Sequence, residues 1–224
     1  MSELHAPMQQ SKLQNYNSAR GASAYKSDYD KKLHRKLSDR RERALLTRYF
    51  RELENLGISI DTVLDVPCGH GRLSDFLKDR CRMLLEADWS LTMVQLNRQD
   101  HEAQNRGYLR CSALEIPLVD RAIDVTVSFR LSHHLETQEL REQHLRELFR
   151  VTNKAVIVTW FSATSLKNRL RNLRATLGTK KRKNVLHSSR VTEIAEESGF
   201  GRHLAKPLFL VGSGHVLGLF VRRS

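Results

Sequence analysis

The segment from Thr62 to Leu73 constrains the fold of this chain more than any other stretch. It reads TVLDVPCGHGRL: an apolar run ending in Asp65, then a turn with two glycines, then the start of a helix. The next apolar run, MLLEA, also ends in an acid, Asp88. Glycines let a backbone approach a ligand closely, and a carboxylate one strand over can accept hydrogen bonds from both ribose hydroxyls. The segment therefore predicts a strand, a turn and a helix that bind an adenosine-containing cofactor.

The charge of the first acid distinguishes between two kinds of cofactor. A dinucleotide fingerprint would have a third glycine three residues after Gly71, and that position is Ser74. Asp65 would repel a pyrophosphate, whereas it suits the positively charged methionyl end of S-adenosylmethionine. The pattern therefore favours a sulfonium cofactor. A turn that binds no ligand is the alternative, because turns between strands and helices use glycine in any case.

Three blocks of the sequence resemble the class I S-adenosylmethionine-dependent methyltransferases. VLDVPCGHGRL resembles their first motif, although Pro67 stands where the family commonly has glycine. LLEADWSLTMVQLN resembles the next motif, and YLRCSALEIPLVDRAIDVTVSFRLSHHL resembles a later block that ends in His-His-Leu. The resemblance covers roughly residues 60 to 160 in consistent order. It implies S-adenosyl-L-methionine as cofactor and S-adenosyl-L-homocysteine as product, and it says little about the acceptor.

Apolar runs and helical patterns alternate along the chain. Strands are predicted at 63–66, 83–87, 108–111, 123–129, 155–161, about 204–211 and 215–221, and helices at 72–78, 90–105, 137–150 and 191–198. Such alternation predicts a parallel sheet covered on both faces. The resemblance and the hairpin-like last pair imply one antiparallel strand. We therefore expect an α/β fold: a Rossmann-like, doubly wound, seven-stranded, mostly parallel sheet with one antiparallel strand, helices on both faces and an N-terminal helical lid.

The domain organisation follows from where the periodic patterns lie. Residues 1–28 lack apolar periodicity and are expected to be a flexible segment. Residues 29–224 are expected to form one methyltransferase domain, with lid helices at 29–56 and a basic insert after strand 5 at 162–190. The three cysteines are widely spaced and form no CxxC pair, so no metal site or disulfide framework is expected, and the thiols indicate the cytoplasm.

Ligands of open α/β sheets bind at the carboxyl ends of the strands, near the point where the strand order reverses. This rule selects the expected cofactor-binding residues: Asp65, Pro67, Cys68, Gly69, Gly71, Asp88, Trp89, Ser112, Ala113, Phe129 and Arg130. Asp88 is assigned to the ribose hydroxyls and Trp89 to packing on the adenine. Ser112 and Ala113 are assigned to the adenine edge. Trp89 as a core residue and Ser112 as an ordinary turn residue are the alternatives.

The pair His133 and His134 follows strand 4 and is the candidate for catalysis. Methyl transfer needs alignment above all, and sometimes a base for the acceptor. A histidine at this position could take a proton from a hydroxyl near neutral pH. The alternative is that the pair holds the loop or contacts the cofactor, because the resembling family has His-Leu here across many substrates.

The chain is strongly basic, with a net charge of +13 and no acid between Leu148 and Thr192. In the resembling family, the N-terminal helix and the insert after strand 5 cover the active site. A basic lid would attract a phosphorylated or carboxylated acceptor, an anionic membrane surface or RNA. A solvated basic face is the alternative. The residues expected to bind the acceptor are Tyr29, Arg35, Arg169, Arg171 and Arg174.

Three classes of function are compatible with these features. The first is methyl transfer by in-line displacement to a small-molecule or lipid-linked, anionic acceptor, by an enzyme in the cytoplasm or at the inner face of the membrane. The second is an RNA methyltransferase, and the third is a cofactor-binding relative that does not catalyse transfer. The sequence after strand 4, SFRLS, lacks the Asn/Asp-Pro-Pro-aromatic turn of the methyltransferases that modify base amino groups. The first class is therefore favoured, with nucleic acid as a less favoured partner and no obligate protein partner indicated.

Overall fold

The computed structural model describes residues 33–162, 185–208 and 214–223, with the backbone alone described for residues 33–37. Several of the sequence predictions lie outside these residues. They concern the first 28 residues, most of the basic insert, and the side chains of Tyr29, Arg35, Arg169, Arg171 and Arg174.

Helices and strands alternate along the described chain. In chain order they are α1 (Leu33–Asn55), β1 (Thr62–Asp65), α2 (Ser74–Lys78), β2 (Met83–Asp88), α3 (Leu91–His101), β3 (Arg106–Arg110), β4 (Ile123–Ser128), α4 (Gln138–Val151), β5 (Thr152–Phe161), α5 (Ser188–Glu197), β6 (Phe200–Pro207) and β7 (His215–Arg222). A short 3-10 turn, Ser132–His134, lies between β4 and α4. Within the described residues, no helix is both long enough and apolar enough to cross a membrane.

The strands form one sheet of seven, in the order β3-β2-β1-β4-β5-β7-β6. The first five strands pair in parallel. β7 runs antiparallel to both of its neighbours, so that Ile157 of β5 lies opposite Leu219. The predicted Rossmann-like, mostly parallel sheet with one antiparallel strand is therefore confirmed. The order reverses between β1 and β4, and the chain leaves these two strands toward opposite faces of the sheet, to α2 and to α4, which leaves a crevice there.

Helices cover both faces of the sheet because the central strands are apolar on both sides. Val63 and Leu64 are neighbours in β1 and point to opposite faces, and each is fully buried. On the Val63 face, α1 and α2 pack their apolar residues, among them Tyr49, against the sheet. On the Leu64 face, α4 and α5 do the same, with Phe149 near the centre. This two-sided burial is typical of parallel sheets.

Most predicted elements are present, and the clearest difference in bounds is at β6. This strand begins at Phe200, about four residues earlier than predicted, directly after the end of α5. Gly199 has a φ of 82°, a left-handed conformation that lets the chain leave the helix and enter the strand without a loop. The helix after the glycine turn begins at Ser74, and not at Arg72, because the chain first makes a turn in which Ser74 N donates to Gly71 O.

Candidate functional site

A cavity opens at the carboxyl ends of β1, β2, β3 and β4, on either side of the switch point. Both candidate catalytic histidines line it. Nine of the expected cofactor-binding residues line it as well: Asp65, Pro67, Cys68, Gly69, Asp88, Trp89, Ala113, Phe129 and Arg130. Topology therefore brings together residues that are up to 69 positions apart in the sequence, because parallel strands end at one edge of the sheet.

The glycine turn after β1 is shaped by contact with α3. Gly69 and Gly71 both have positive φ, 56° and 83°. A Cβ on Gly71 would lie 2.0 Å from Oδ1 of Asn97 on α3, so that this glycine is required for packing as well as for its backbone conformation. Gly71 forms the back of the turn, whereas Gly69 lines the cavity. The amide of Cys68 donates to Ala87 O at 2.8 Å, which ties the turn to β2.

Asp88 is held at the end of β2 by two backbone amides. Its Oδ2 accepts from Gly69 N at 3.0 Å, and its Oδ1 accepts from Ser90 N at 2.8 Å. Ser90 caps α3, with its Oγ accepting from Met93 N. Burial raises the pKa of Asp88 to about 6, against the effect of these amides. Each carboxylate oxygen can accept a further hydrogen bond, so Asp88 can also accept from the two hydroxyls of a ribose.

Asp65 is a buried carboxyl whose Oδ1 has no hydrogen-bond donor among the described residues, and the side chain is 1% exposed. Burial raises the pKa of Asp65 well above its usual range, and the nearby Glu86 and Asp88 add to this effect. A positive group brought into the cavity would stabilise the ionised form. The site therefore fits a cofactor with a cationic end, such as the methionyl end of S-adenosylmethionine.

The loop after β3 differs in one respect from expectation. Ser112 does not line the cavity, because side chains in extended backbone alternate in direction: Cys111 and Ala113 face the cavity, and Ser112 Oγ accepts from Leu114 N at 3.2 Å.

Burial raises the pKa of the Cys68 thiol well above its usual range and that of Cys111 to about 12. Both thiols are protonated at neutral pH, which argues against a nucleophilic role.

His144 of α4 is a buried residue that the sequence reasoning missed. Its Nδ1 lies 3.1 Å from Ala113 O and its Nε2 lies 3.1 Å from Ser128 Oγ. Burial lowers the pKa of His144 to about 4, so the ring is neutral at neutral pH. A carbonyl only accepts, so Nδ1 carries the proton and Nε2 accepts from Ser128. His144 thereby ties the loop after β3 to the end of β4. The signal was its place between Leu140 and Leu148, on the apolar face of a predicted helix.

Arg130 follows β4 with a φ of 60° and is fixed through α1. Its backbone amide donates to Thr159 Oγ1 at 2.6 Å, and its Nη2 donates to Ser38 Oγ at 2.5 Å. Its guanidinium also pairs with the fully buried carboxylate of Glu42, with Nε 3.0 Å from Oε1. Arg72, from the loop after β1, pairs with the other oxygen of Glu42 at 2.9 Å. Two cavity arginines are therefore positioned by one helix that the sequence reasoning had treated only as a lid.

Three imidazoles and a phenyl ring meet beside the cavity. The ring centroids of His133 and His134 are 4.0 Å apart, and His215 of β7 lies 4.9 Å from His133. Phe161, the last residue of β5, lies 4.2 Å from His215. Neither His215 nor Phe161 was predicted to belong to the site. Among the described residues, no three or more His, Cys, Asp or Glu side chains are grouped so that they could hold a metal ion.

A comparison of the sequence with known protein families agrees with the fold and with the residues that line the cavity. The family described as a methyltransferase domain matches residues 64–158, a range that includes every residue lining the cavity. With the seven-stranded topology and the acids that end β1 and β2, this match identifies residues 64–158 as a methyltransferase domain of the class I, S-adenosylmethionine-dependent type.

Similar curated proteins include a protein of Encephalitozoon cuniculi that carries a provisional methyltransferase name. It is 31% identical over 144 residues, which are 63% of this chain and 64% of that protein. The tRNA (carboxymethyluridine(34)-5-O)-methyltransferase of Xenopus tropicalis is 34% identical over 101 residues, 44% of this chain and 15% of that protein. The matched region therefore spans just under two thirds of the first relative and a small part of the second.

The same overall fold occurs in solved structures of low sequence identity. The magnesium protoporphyrin IX methyltransferase of Synechocystis PCC 6803, solved with bound S-adenosylhomocysteine, superposes with a TM-score of 0.75 at 14% identity. The superposition covers 96% of this chain and 100% of that one. At this identity the likeness establishes the fold alone.

Proposed function

We propose that this protein transfers a methyl group from S-adenosylmethionine to an anionic acceptor that is small or lipid-linked. The observation that carries the proposal is the charge distribution of the cavity. Both acids of the cavity lining, Asp65 and Asp88, lie after β1 and β2, whereas His133 and His134 lie after β4; the lining also contains Arg72 and Arg130, whose guanidiniums both pair with Glu42. A cationic cofactor suits the acidic end, and a negatively charged acceptor suits the basic end.

The residues after β1, β2 and β3 would hold the cofactor. Asp88 would accept from the ribose hydroxyls, and the unpartnered carboxyl of Asp65 would face the methionyl end. The indole of Trp89, beside Met93 and Cys111, would pack on the adenine. Pro67, Cys68 and Gly69 would lie along the cofactor, and Ala113 would contact the adenine edge. Phe129 and Arg130 would border the methionyl end, with Ser112 supporting the loop.

Bound S-adenosylmethionine supplies a methyl carbon that is already activated by a sulfonium. The protein then has to hold the acceptor oxygen or nitrogen in line with the bond from that carbon to sulfur. A carboxylate or phosphate acceptor needs no base, because its attacking oxygen is already deprotonated and has no proton to lose. For a hydroxyl acceptor, His133 or His134 would take the proton as the new bond forms.

Five residues whose side chains lie outside the described structure, four of them arginines, are assigned to acceptor binding. Tyr29 and Arg35 precede or begin α1, and Arg169, Arg171 and Arg174 belong to the insert after β5. Replacing the three insert arginines with glutamine should raise the acceptor KM and leave the affinity for S-adenosylhomocysteine unchanged. Binding to anionic vesicles should weaken between low and physiological salt, because exposed charges are screened over about 8 Å. The assignment would be contradicted if the arginine variants changed only the affinity for S-adenosylhomocysteine and not the acceptor KM, or if vesicle binding did not depend on salt.

The decisive experiment identifies the acceptor. The purified protein would be incubated with radiolabelled S-adenosylmethionine and separate fractions of metabolites, lipids and total RNA, with Asp88→Ala as the inactive control. Label in a small-molecule or lipid fraction that disappears with Asp88→Ala would support the proposal. Binding of S-adenosylhomocysteine without transfer to any fraction would instead favour a cofactor-binding relative that does not catalyse transfer.

A tRNA nucleoside is a second candidate acceptor, favoured by the names of the relatives. The Xenopus protein and its mouse counterpart, which is 31% identical over 138 residues, are both named tRNA (carboxymethyluridine(34)-5-O)-methyltransferases. A carboxymethyl group is anionic, so this acceptor would also suit the basic end of the cavity. Basic charge alone gives weak nucleic-acid binding, about 10⁻⁴ to 10⁻⁶ M at physiological salt. One dominant methylated nucleoside in digested RNA, absent with Asp88→Ala, would establish the RNA acceptor and overturn the first proposal.

A further inference from the structure

Two of the residues that line the cavity after β4 belong to a larger group of packed rings, whose other members lie outside the cavity lining. His133 and His134 line the cavity, and their ring centroids are 4.0 Å apart. His215 stands edge-on to His133, with centroids 4.9 Å apart and planes at 78°. Phe161 packs against both His133 and His215, at 5.7 Å and 4.2 Å. We call His133, His134, His215 and Phe161 the imidazole cluster.

The antiparallel strand explains how His215 reaches this place. β5 runs toward the edge of the sheet where the cavity opens and ends there at Phe161. β7 runs in the opposite direction, so its first residue, His215, pairs directly with Phe161 in the register of the sheet. A parallel strand in the same position would bring its last residue to this edge instead. Because β7 is antiparallel, it adds His215 to the rings of His133, His134 and Phe161, which follow or end the parallel strands β4 and β5.

The charges of the cavity separate this cluster from the cofactor residues. The cavity acids, Asp65 and Asp88, follow β1 and β2. Arg130, three residues before His133, also lines the cavity, and its guanidinium pairs with Glu42. A neutral imidazole has one N–H donor and an imidazolium has two, so three imidazoles can offer several donors to one group. Protonated imidazoles this close would repel one another unless an anion lay between or beside them.

The cluster lies at the part of the cavity that the proposed cofactor residues leave open. Asp88, Trp89 and Ala113, which are proposed to bind the adenosine, line the cavity beside β2 and β3. With the cofactor bound there, the lining after β4 would remain for a second molecule. We propose that the imidazole cluster is the acceptor subsite and that it binds an oxyanion of the acceptor, a carboxylate or a phosphate, with Phe161 packing beside it. This inference rests on the proposed function and names the part of the acceptor that the site recognises.

The test uses the full chain, labelled with ¹⁵N-histidine and saturated with S-adenosylhomocysteine. Benzoate and inorganic phosphate serve as separate probes, and long-range ¹H–¹⁵N spectra report the ring nitrogens of the ten histidines. Signals are assigned from the single variants His133→Gln, His134→Gln and His215→Gln. We expect saturable shifts of the three cluster imidazoles with at least one probe, and no comparable shifts of His203 or His144. A stronger response to benzoate would identify a carboxylate acceptor, and a stronger response to phosphate a phosphorylated one.

A matched pair of variants tests the role of His215. His215→Gln should weaken binding of the effective probe by at least about tenfold, the loss expected for one hydrogen bond to a charged group. His203→Gln, on exposed β6, should leave it unchanged. Cluster signals that do not respond to either probe, or equal weakening by both variants, would overturn the subsite while S-adenosylhomocysteine still binds. Failure of S-adenosylhomocysteine to bind at all would instead overturn the proposed function, and the subsite with it.

Discussion

The carboxylate of Glu42 accepts a hydrogen bond from Nε of Arg130 at 3.0 Å, across 88 residues of chain. Glu42 is fully buried on α1, and the same carboxylate pairs with Arg72 at 2.9 Å. Arg72 belongs to the loop after β1, and Arg130 to the loop after β4. One residue of the N-terminal helix therefore connects the two loops that form opposite sides of the cavity, so that docking of α1 and the shape of the cavity depend on each other.

The first prediction concerns this ion cluster. Glu42→Gln should lower the free energy of unfolding by about 3 kcal/mol, because two partly buried guanidiniums lose their shared counter-ion. Urea unfolding measures the change. Glu52→Gln, at a partly exposed site on the same helix, is the matched control and should cost under about 1 kcal/mol. The double variant Glu42→Gln with Arg130→Gln should cost less than the sum of the single variants. Equal costs for the two glutamate variants would contradict the prediction.

The second prediction separates the two glycines of the turn. Gly71→Ala would place a methyl group 2.0 Å from Asn97 Oδ1 at a φ of 83°, and should destabilise the protein by more than about 3 kcal/mol or prevent folding. Gly69→Ala has the same kind of φ, 56°, but no atom within 4 Å of the added carbon. It should cost only about 1–2 kcal/mol, the strain of a left-handed residue. Urea unfolding of both variants tests the difference, and similar costs would show that packing on α3 does not matter.

The third prediction concerns the pH dependence of cofactor binding. In the proposed function the ionised form of Asp88 would accept from the ribose hydroxyls, and burial raises the pKa of Asp88 to about 6 in the free protein. Affinity for S-adenosylhomocysteine should therefore be full well above pH 6 and decline below it. At about pH 5 some tenfold should be lost, because roughly one molecule in ten is then ionised at Asp88. An unburied aspartate would keep full affinity until near pH 4. Calorimetry across this range measures the effect.

Two variants serve as controls for this pH dependence. Asp88→Asn should bind at least about tenfold more weakly near pH 8, since a charge-assisted hydrogen bond is lost. The affinity of Asp88→Asn for S-adenosylhomocysteine should also lack the decline below pH 6 that the titration of Asp88 causes in the wild type. Asp79→Asn, an exposed acid beyond α2, should behave as the wild type. Unchanged affinity in Asp88→Asn would refute the ribose assignment.

The fourth prediction concerns stability at acid pH. His144 is neutral in the fold, and its pKa is lowered to about 4 by burial, whereas a histidine in the unfolded chain has a pKa near 6.5. The unfolded state therefore binds more protons between these values, so the contribution of His144 to stability is present above pH 6.5 and is lost as the pH falls toward 4. The advantage of the wild type over His144→Gln should shrink by about 2 kcal/mol between pH 7 and pH 4.5.

The comparison between wild type and variant removes the effects of other groups that titrate in this range. Urea unfolding at the two pH values measures each free energy. His203→Gln is the control, because His203 is on the surface and pairs only with Glu52 among the described residues. The difference in free energy of unfolding between the wild type and His203→Gln should not shrink between pH 7 and pH 4.5 as it does for His144→Gln. A constant advantage of the wild type over His144→Gln would show that His144 titrates normally.

The sequence alone was sufficient to predict the fold and most of the residues that line the cavity after β1 and β2. Val63 and Leu64 are both apolar because β1 is buried on both faces, and this local pattern is readable without coordinates. Asp65, the glycine turn and Asp88 follow their strands directly. The side chains that would meet the cofactor are set by residues within a few positions of a strand end, and parallel strands end together.

The basic end of the cavity depended on the tertiary structure. Nothing near Glu42 in the sequence indicates that it is buried against Arg130, since the two residues are 88 positions apart and four of the seven strands lie between them. His215 joins His133 only because β7 is reversed and pairs with β5. His144 is a polar residue on an apolar helical face, and its partners lie on two other elements. Local sequence determines strands, turns and the residues beside them, whereas contacts between distant side chains are decided by how the elements pack.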